Sequence, residues 1–144
     1  MSHFIPCNES IDAAQTAELF LSHIFRIHGL PQTILSDHGP QFASKFWTAL
    51  FKSLKVKTLL SSAYHAQTDG QTEQVNQCLE QYLRIYVDYQ QTNWSQFLPY
   101  AEFSYNNSYH SAISMSPFEA NYGFNPRSDH LGPSTGISCP EQLS

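Results

Sequence analysis

Two carboxylates carry the chemistry that this sequence suggests. Asp37 ends the short apolar run Thr33-Ile34-Leu35-Ser36 and is followed at once by His38-Gly39-Pro40. Glu73 lies 35 intervening residues further on, near the start of a long helical pattern. Asn76, Gln77 and Glu80 share its polar face at i+3, i+4 and i+7. A carboxylate at a strand end and one on a neighbouring helix can converge on a divalent cation, because Mg²⁺ prefers hard oxygen ligands. Two such ions about 3.5–4 Å apart would activate a water or a 3′-hydroxyl for phosphodiester chemistry. Gly39 leaves room for backbone to approach a ligand closely. Each acid also has a plainer role: Asp before Gly serves a turn, and Glu in a first helical turn complements the helix dipole.

The elements that would position these groups follow from periodicity and punctuation. Apolar residues at Ala13, Ala17, Phe20, Leu21, Ile24, Phe25 and Ile27 predict an inward helical face between Asp12 and His28. Ser10 or Asp12 would cap it, and Gly29 and Pro31 would stop it. Thr33 to Ser36 reads as a strand, and Ser2 to Cys7 as a fragment of extended chain. Ser44 would cap a helix whose inner face is Phe46, Trp47, Leu50, Phe51 and Leu54. Val56 to Ser61 reads as a second strand, 62–70 as a loop and Gln71 to Tyr89 as a long helix with Val75, Cys78, Leu79, Tyr82, Leu83 and Tyr86 inside. Another helix runs from Trp94 to about Tyr109, with Pro99 tolerated near its start. Ser116-Pro117-Phe118-Glu119 has the pattern of a capping box with Pro at the first helical position, and Gly123 ends that helix. Strands alternating with helices indicate an α/β layer architecture. One domain is expected over residues 1–126, followed by a loose tail over 127–144.

Composition narrows the classes. At 144 residues, 41% hydrophobic and 13% charged, the chain can build a core and is not of the disordered type. No run approaches the ~18 apolar residues of a membrane span, and the first residues lack the pattern of a signal peptide. A soluble protein of the nucleus or cytoplasm is the expectation. The net charge of −5 argues against tight autonomous binding to nucleic acid, and Lys45, Lys52, Lys55 and Lys57 form the basic cluster that exists. Cys7, Cys78 and Cys139 form neither a disulfide framework nor a zinc motif, and Cys78 reads as core.

Longer strings carry a resemblance. Leu30-Pro31 with Ile34-Leu35-Ser36-Asp37-His38-Gly39-Pro40-Gln41-Phe42 resembles the second-Asp segment of integrase catalytic cores from long-terminal-repeat retroelements. The string from Ser61 to Gln77 resembles their catalytic loop and Glu helix, at the family's D-x35-E spacing. Trp94 with Leu98-Pro99, Glu102 to Asn106, and Ser116 to Glu119 with Tyr122-Gly123 complete a match over residues 1–126, closest in flavour to the Ty3/gypsy class of retrotransposons. The resemblance implies a ribonuclease-H-like fold, a mixed sheet flanked by helices. It implies Mg²⁺- or Mn²⁺-dependent DNA strand transfer, with Asp37 and Glu73 as the second and third metal-binding catalytic acids. Tyr64, His65, Gln67, Thr68, Gln71, Asn76 and Gln77 would contact DNA. DNA, as retroelement ends and target, and further copies of the chain are the implied partners. The first acid would precede Met1 on a first strand, so these residues are expected to hold Mg²⁺ weakly and to give no strand transfer by themselves. His38, Ala66 and Gln74 depart from the family's usual residues. The alternative expectation is a domesticated, non-catalytic domain that binds nucleic acid or protein.

Overall fold

Asp12 starts the first helix in the computed structural model, which describes residues 1–60, 66–87 and 92–127, with backbone alone at 66–71 and 73. Its carboxylate accepts from the Gln15 N–H at 2.8 Å, and the Gln15 side chain accepts from the Asp12 N–H at 3.2 Å. This reciprocal capping box opens α1, Ala13–Leu19. A π-helical stretch, Phe20–Phe25, and the short α2, Arg26–His28, follow and end at Gly29 with φ +73°. The sequence pattern predicts one regular helix here, with Leu21, Phe25 and Ile27 inside. They are instead 41%, 42% and 47% exposed. The Ser22 hydroxyl donates to the Glu18 carbonyl at 2.7 Å and competes with the helical N–H for that acceptor. A π turn takes in one more residue than an α turn, and one residue is roughly 100° of helix rotation. The apolar stripe therefore slides off the core.

Two compact units are distinguished, Ile5–Gly70 on one hand and Met1–Phe4 with Gln71–Ser144 on the other. In the first unit, β1 (Thr33–Ser36) pairs in parallel with β2 (Lys57–Leu60), with Ile34 opposite Thr58 and Ser36 opposite Leu60. Between them runs α3, Lys45–Ser53, capped by Ser44, whose hydroxyl accepts from the Trp47 N–H at 3.1 Å. Ala17, Trp47, Phe51 and Val56 form the core, with Phe20, Ile34, Phe42, Leu50 and Leu54 packed around it. Trp47 and Phe51 lie 4.5 Å apart between ring centroids, and Phe20 meets Phe51 edge-on at 5.2 Å. Phe46, predicted to face inward, is 51% exposed; it stands beside Trp47, whose indole takes the core position. The strands bury one face only: Ile34 packs on the core, while Leu35 and its register partner Leu59 are exposed.

α4 spans Ala66–Tyr86, its residues from Gln71 on belonging to the second unit, so residues 66–70 are helical where the sequence predicts a loop. Gly70 costs a helix about 1 kcal/mol relative to Ala, which a helix of 21 residues absorbs. Cys78 is buried as predicted, and Cys7 is free and exposed. α5, Trp94–Asn107, contributes buried Leu98 and Ala101 and keeps Pro99 in its second turn. α6, Pro117–Tyr122, is capped by Ser116 and ended by Gly123 at φ +82°. Among the described residues the segment 2–7 forms no strand; Ser2 and Phe4 hydrogen-bond to side chains of α5 instead. No helix among the described residues is long and apolar enough to cross a membrane.

Candidate metal and nucleic-acid site

Asp37 is the first residue past β1, and its side chain is exposed. Ser36 pairs with Leu60, so both parallel strands end at the same edge of the sheet, and the Asp37 carboxylate belongs to that edge. Ligands of open α/β sheets bind beyond the carboxyl ends of the strands. One oxygen, Oδ1, accepts from the Gly39 N–H at 2.9 Å. The turn role expected of an Asp before Gly is therefore real, and it also fixes the carboxylate. The second oxygen has no hydrogen-bond partner among the described residues. A hard carboxylate oxygen on a group held by its own turn suits a divalent cation of the Mg²⁺ type.

The space beside Gly39 is taken by the end of the Gln41 side chain. A Cβ there would lie 2.8 and 2.9 Å from the Gln41 amide atoms and 3.0 Å from Asp37 Oδ1. The sequence predicts backbone approaching a ligand here; in the structure the group beside Gly39 is the Gln41 side chain. Its role was not visible in the sequence, because nothing in its spacing ties it to Gly39. His38 is exposed beside it.

Glu73 lies about two turns into α4, and its place there is known from backbone alone. Asn76 and Gln77, predicted to face DNA, are exposed on the same helix, while Val75, Leu79 and Tyr82 are half-buried and Cys78 is buried. Gln67, Thr68 and Gln71 fall on the first turns of α4 rather than in a loop. Tyr64 and His65 lie outside the described residues. Among the described residues, no three His, Cys, Asp or Glu side chains are grouped to hold a metal. A cavity lined by Cys78, Leu79, Tyr82, Ala101 and Tyr105 has about 20 Å³, room for one water and not for an organic ligand.

No family model matches the chain. Over 126 residues, 88% of its length, it is 35% identical to the Tf2-3 and Tf2-4 transposon polyproteins of Schizosaccharomyces pombe. It spans about 10% of the length of those polyproteins. Its fold is that of retroviral integrase catalytic cores. The HTLV-2 integrase core, solved in complex with magnesium, superposes with a TM-score of 0.62 at 19% identity, over 79% of this chain and 72% of that one. The BIV integrase core superposes with a TM-score of 0.56 at 26% identity, over 76% and 70%. The integrase of a simian T-cell lymphotropic virus intasome gives 0.67 at 20% identity, over 93% and 45%.

Proposed function

Since this chain is a homologue of the Tf2 retrotransposon polyproteins and has the ribonuclease-H-like fold of integrase catalytic cores, we propose that it acts in DNA integration. Asp37 and Glu73 would be two of the acids that hold Mg²⁺ or Mn²⁺. The observation that carries this reading is the exposed Asp37 carboxylate, braced by the Gly39 N–H at the carboxyl edge of the parallel pair. A bound cation would supply Lewis-acid activation of a phosphodiester and of the attacking hydroxyl. The chain's own part is to hold hard oxygens and to present Asn76, Gln77, Gln67, Thr68, Gln71, Tyr64 and His65 to DNA. The magnesium-bound HTLV-2 core and the viral intasome support metal and nucleic acid as partners, and the dimeric and trimeric core crystals support self-association.

The net charge of −5 speaks against tight autonomous binding to nucleic acid. The alternative reading is a non-catalytic domain that binds nucleic acid or protein. Paramagnetic broadening by Mn²⁺ tests the metal role. Amide signals around Ser36–Gly39 and Glu73 should broaden together, and Asp37→Asn should abolish both effects. Broadening elsewhere, or none, would remove the metal assignment. Strand transfer by the polypeptide that vanishes in Asp37→Asn would decide for integration against the non-catalytic alternative.

A further inference from the structure

Four of the seven lysines and arginines of this acidic chain fall between Lys45 and Lys57. Lys52 lies in the last turn of α3, Lys55 just beyond its cap, and Lys57 at the first position of β2; all three are exposed. The described residues offer none of them an ion-pair partner. Lys57 pairs with Thr33, so these lysines gather at the amino ends of the parallel strands. Asp37 follows the opposite, carboxyl ends. A strand of four residues separates the two edges by about 10 Å at 3.3 Å per residue.

Lys55 has φ +58°, a left-handed conformation that an L side chain adopts at a cost. The Val56 N–H donates to the Phe51 carbonyl at 2.9 Å, and the Lys55 N–H to the Lys52 carbonyl at 3.1 Å. This is a Schellman motif, with Lys55 in the position that glycine favours. A cation in the last turn of a helix complements its dipole, which accounts for Lys52. It does not account for Lys57 on a strand, nor for lysine where glycine would relieve the strain.

We infer that Lys52, Lys55 and Lys57 form a phosphate-contacting patch for duplex DNA, separate from the Asp37 edge. The choice of DNA rests on the proposed function. The observations that favour a polyanion are the segregation of charge in a chain of net charge −5 and the strained lysine retained within the patch. Contacts of this kind position a duplex without reading its sequence.

The test is fluorescence anisotropy of a short labelled duplex with the full chain in EDTA, across a salt series. Wild type should bind with strong salt dependence. Lys55→Gly should raise the thermal midpoint, because it removes the strain, yet weaken binding roughly threefold and lower the log–log salt slope by about 1. Lys52→Gln with Lys57→Gln should weaken binding further, while Arg26→Gln should not. A Lys55→Gly protein that is more stable and binds with unchanged affinity and slope would reduce the patch to a helix end and overturn the inference. Salt-insensitive binding by wild type, or none, would overturn it as well. Because EDTA removes metal, these outcomes are independent of the Mn²⁺ experiment at Asp37.

Discussion

Asn106 holds the backbone of Ser2 by both of its polar groups: its Oδ1 accepts from the Ser2 N–H at 2.9 Å, and its Nδ2 donates to the Ser2 carbonyl at 2.8 Å. One turn earlier on α5, Glu102 Oε2 accepts from the Phe4 N–H at 2.8 Å, and Oε1 lies 3.0 Å from His3 Nδ1. The spacing explains why this works. Residues i and i+4 of a helix are about 6 Å apart along its axis, and alternate residues of an extended chain about 6.7 Å. Two side chains of α5 thus take the place of a neighbouring strand.

Asn106 has no exposed surface, so its replacement leaves buried groups unpaired. Asn106→Leu, alike in branching though larger, should cost about 2–3 kcal/mol in urea unfolding. A loss below about 0.5 kcal/mol would mean that the contact with Ser2 contributes little.

Lys55→Gly should stabilise the fold by about 1 kcal/mol, by removing the left-handed penalty at φ +58°. Lys55→Ala keeps a Cβ in the same conformation and should give no such gain. Equal midpoints for the Gly and Ala variants would refute the strain argument.

Gly39→Ala should matter more for metal than for stability. The added methyl displaces the end of the flexible Gln41 side chain and presses on Asp37 Oδ1, with contacts of 2.8–3.0 Å. Mn²⁺ affinity should fall about tenfold, equivalent to 1.4 kcal/mol, while the unfolding midpoint changes little. Unaltered Mn²⁺ affinity would separate Gly39 from the Asp37 site.

Ser116 is buried, its hydroxyl accepts from the Glu119 N–H at 3.0 Å, and it donates to the Asn125 side chain. Ser116→Ala should cost about 1–2 kcal/mol, the range for a lost N-cap, and should loosen α6. Ser116→Asp, which keeps an acceptor, should recover the part due to the Glu119 N–H; an Asp variant no better than Ala would place the loss elsewhere.

Burial raises the Tyr105 phenol above its ordinary pKa, against a smaller opposing effect of a hydrogen bond with Ser2. A raised folded value means that the phenol's contribution is complete below about pH 10, the unfolded value. It is lost as pH climbs through the folded value. Urea midpoints should therefore drop as pH rises above about 10, and Tyr105→Phe should flatten part of that drop. A Phe variant with the wild-type alkaline slope would assign the loss to other groups.

Much of the positioning was legible in the residues themselves, because it is local. Asp12, Ser44 and Ser116 cap the helices they were expected to cap, Gly29 and Gly123 end them at positive φ, and Asp37 stands at a strand end with its turn. Each depends on hydrogen bonds within about four residues, so the sequence by itself determined them, as its long motifs determined the kinship with retroelement integrases. Only the tertiary structure decided the rest. The π-helical stretch in which Leu21 and Phe25 are exposed leaves no mark in the apolar spacing of the sequence. The start of α4 at Ala66 overrides the loop-like composition around Gly70. Ser2 meets Asn106 across 104 positions of chain. A pairing at that separation leaves no periodic trace in either segment, since chain closure, and not local propensity, brings the two together.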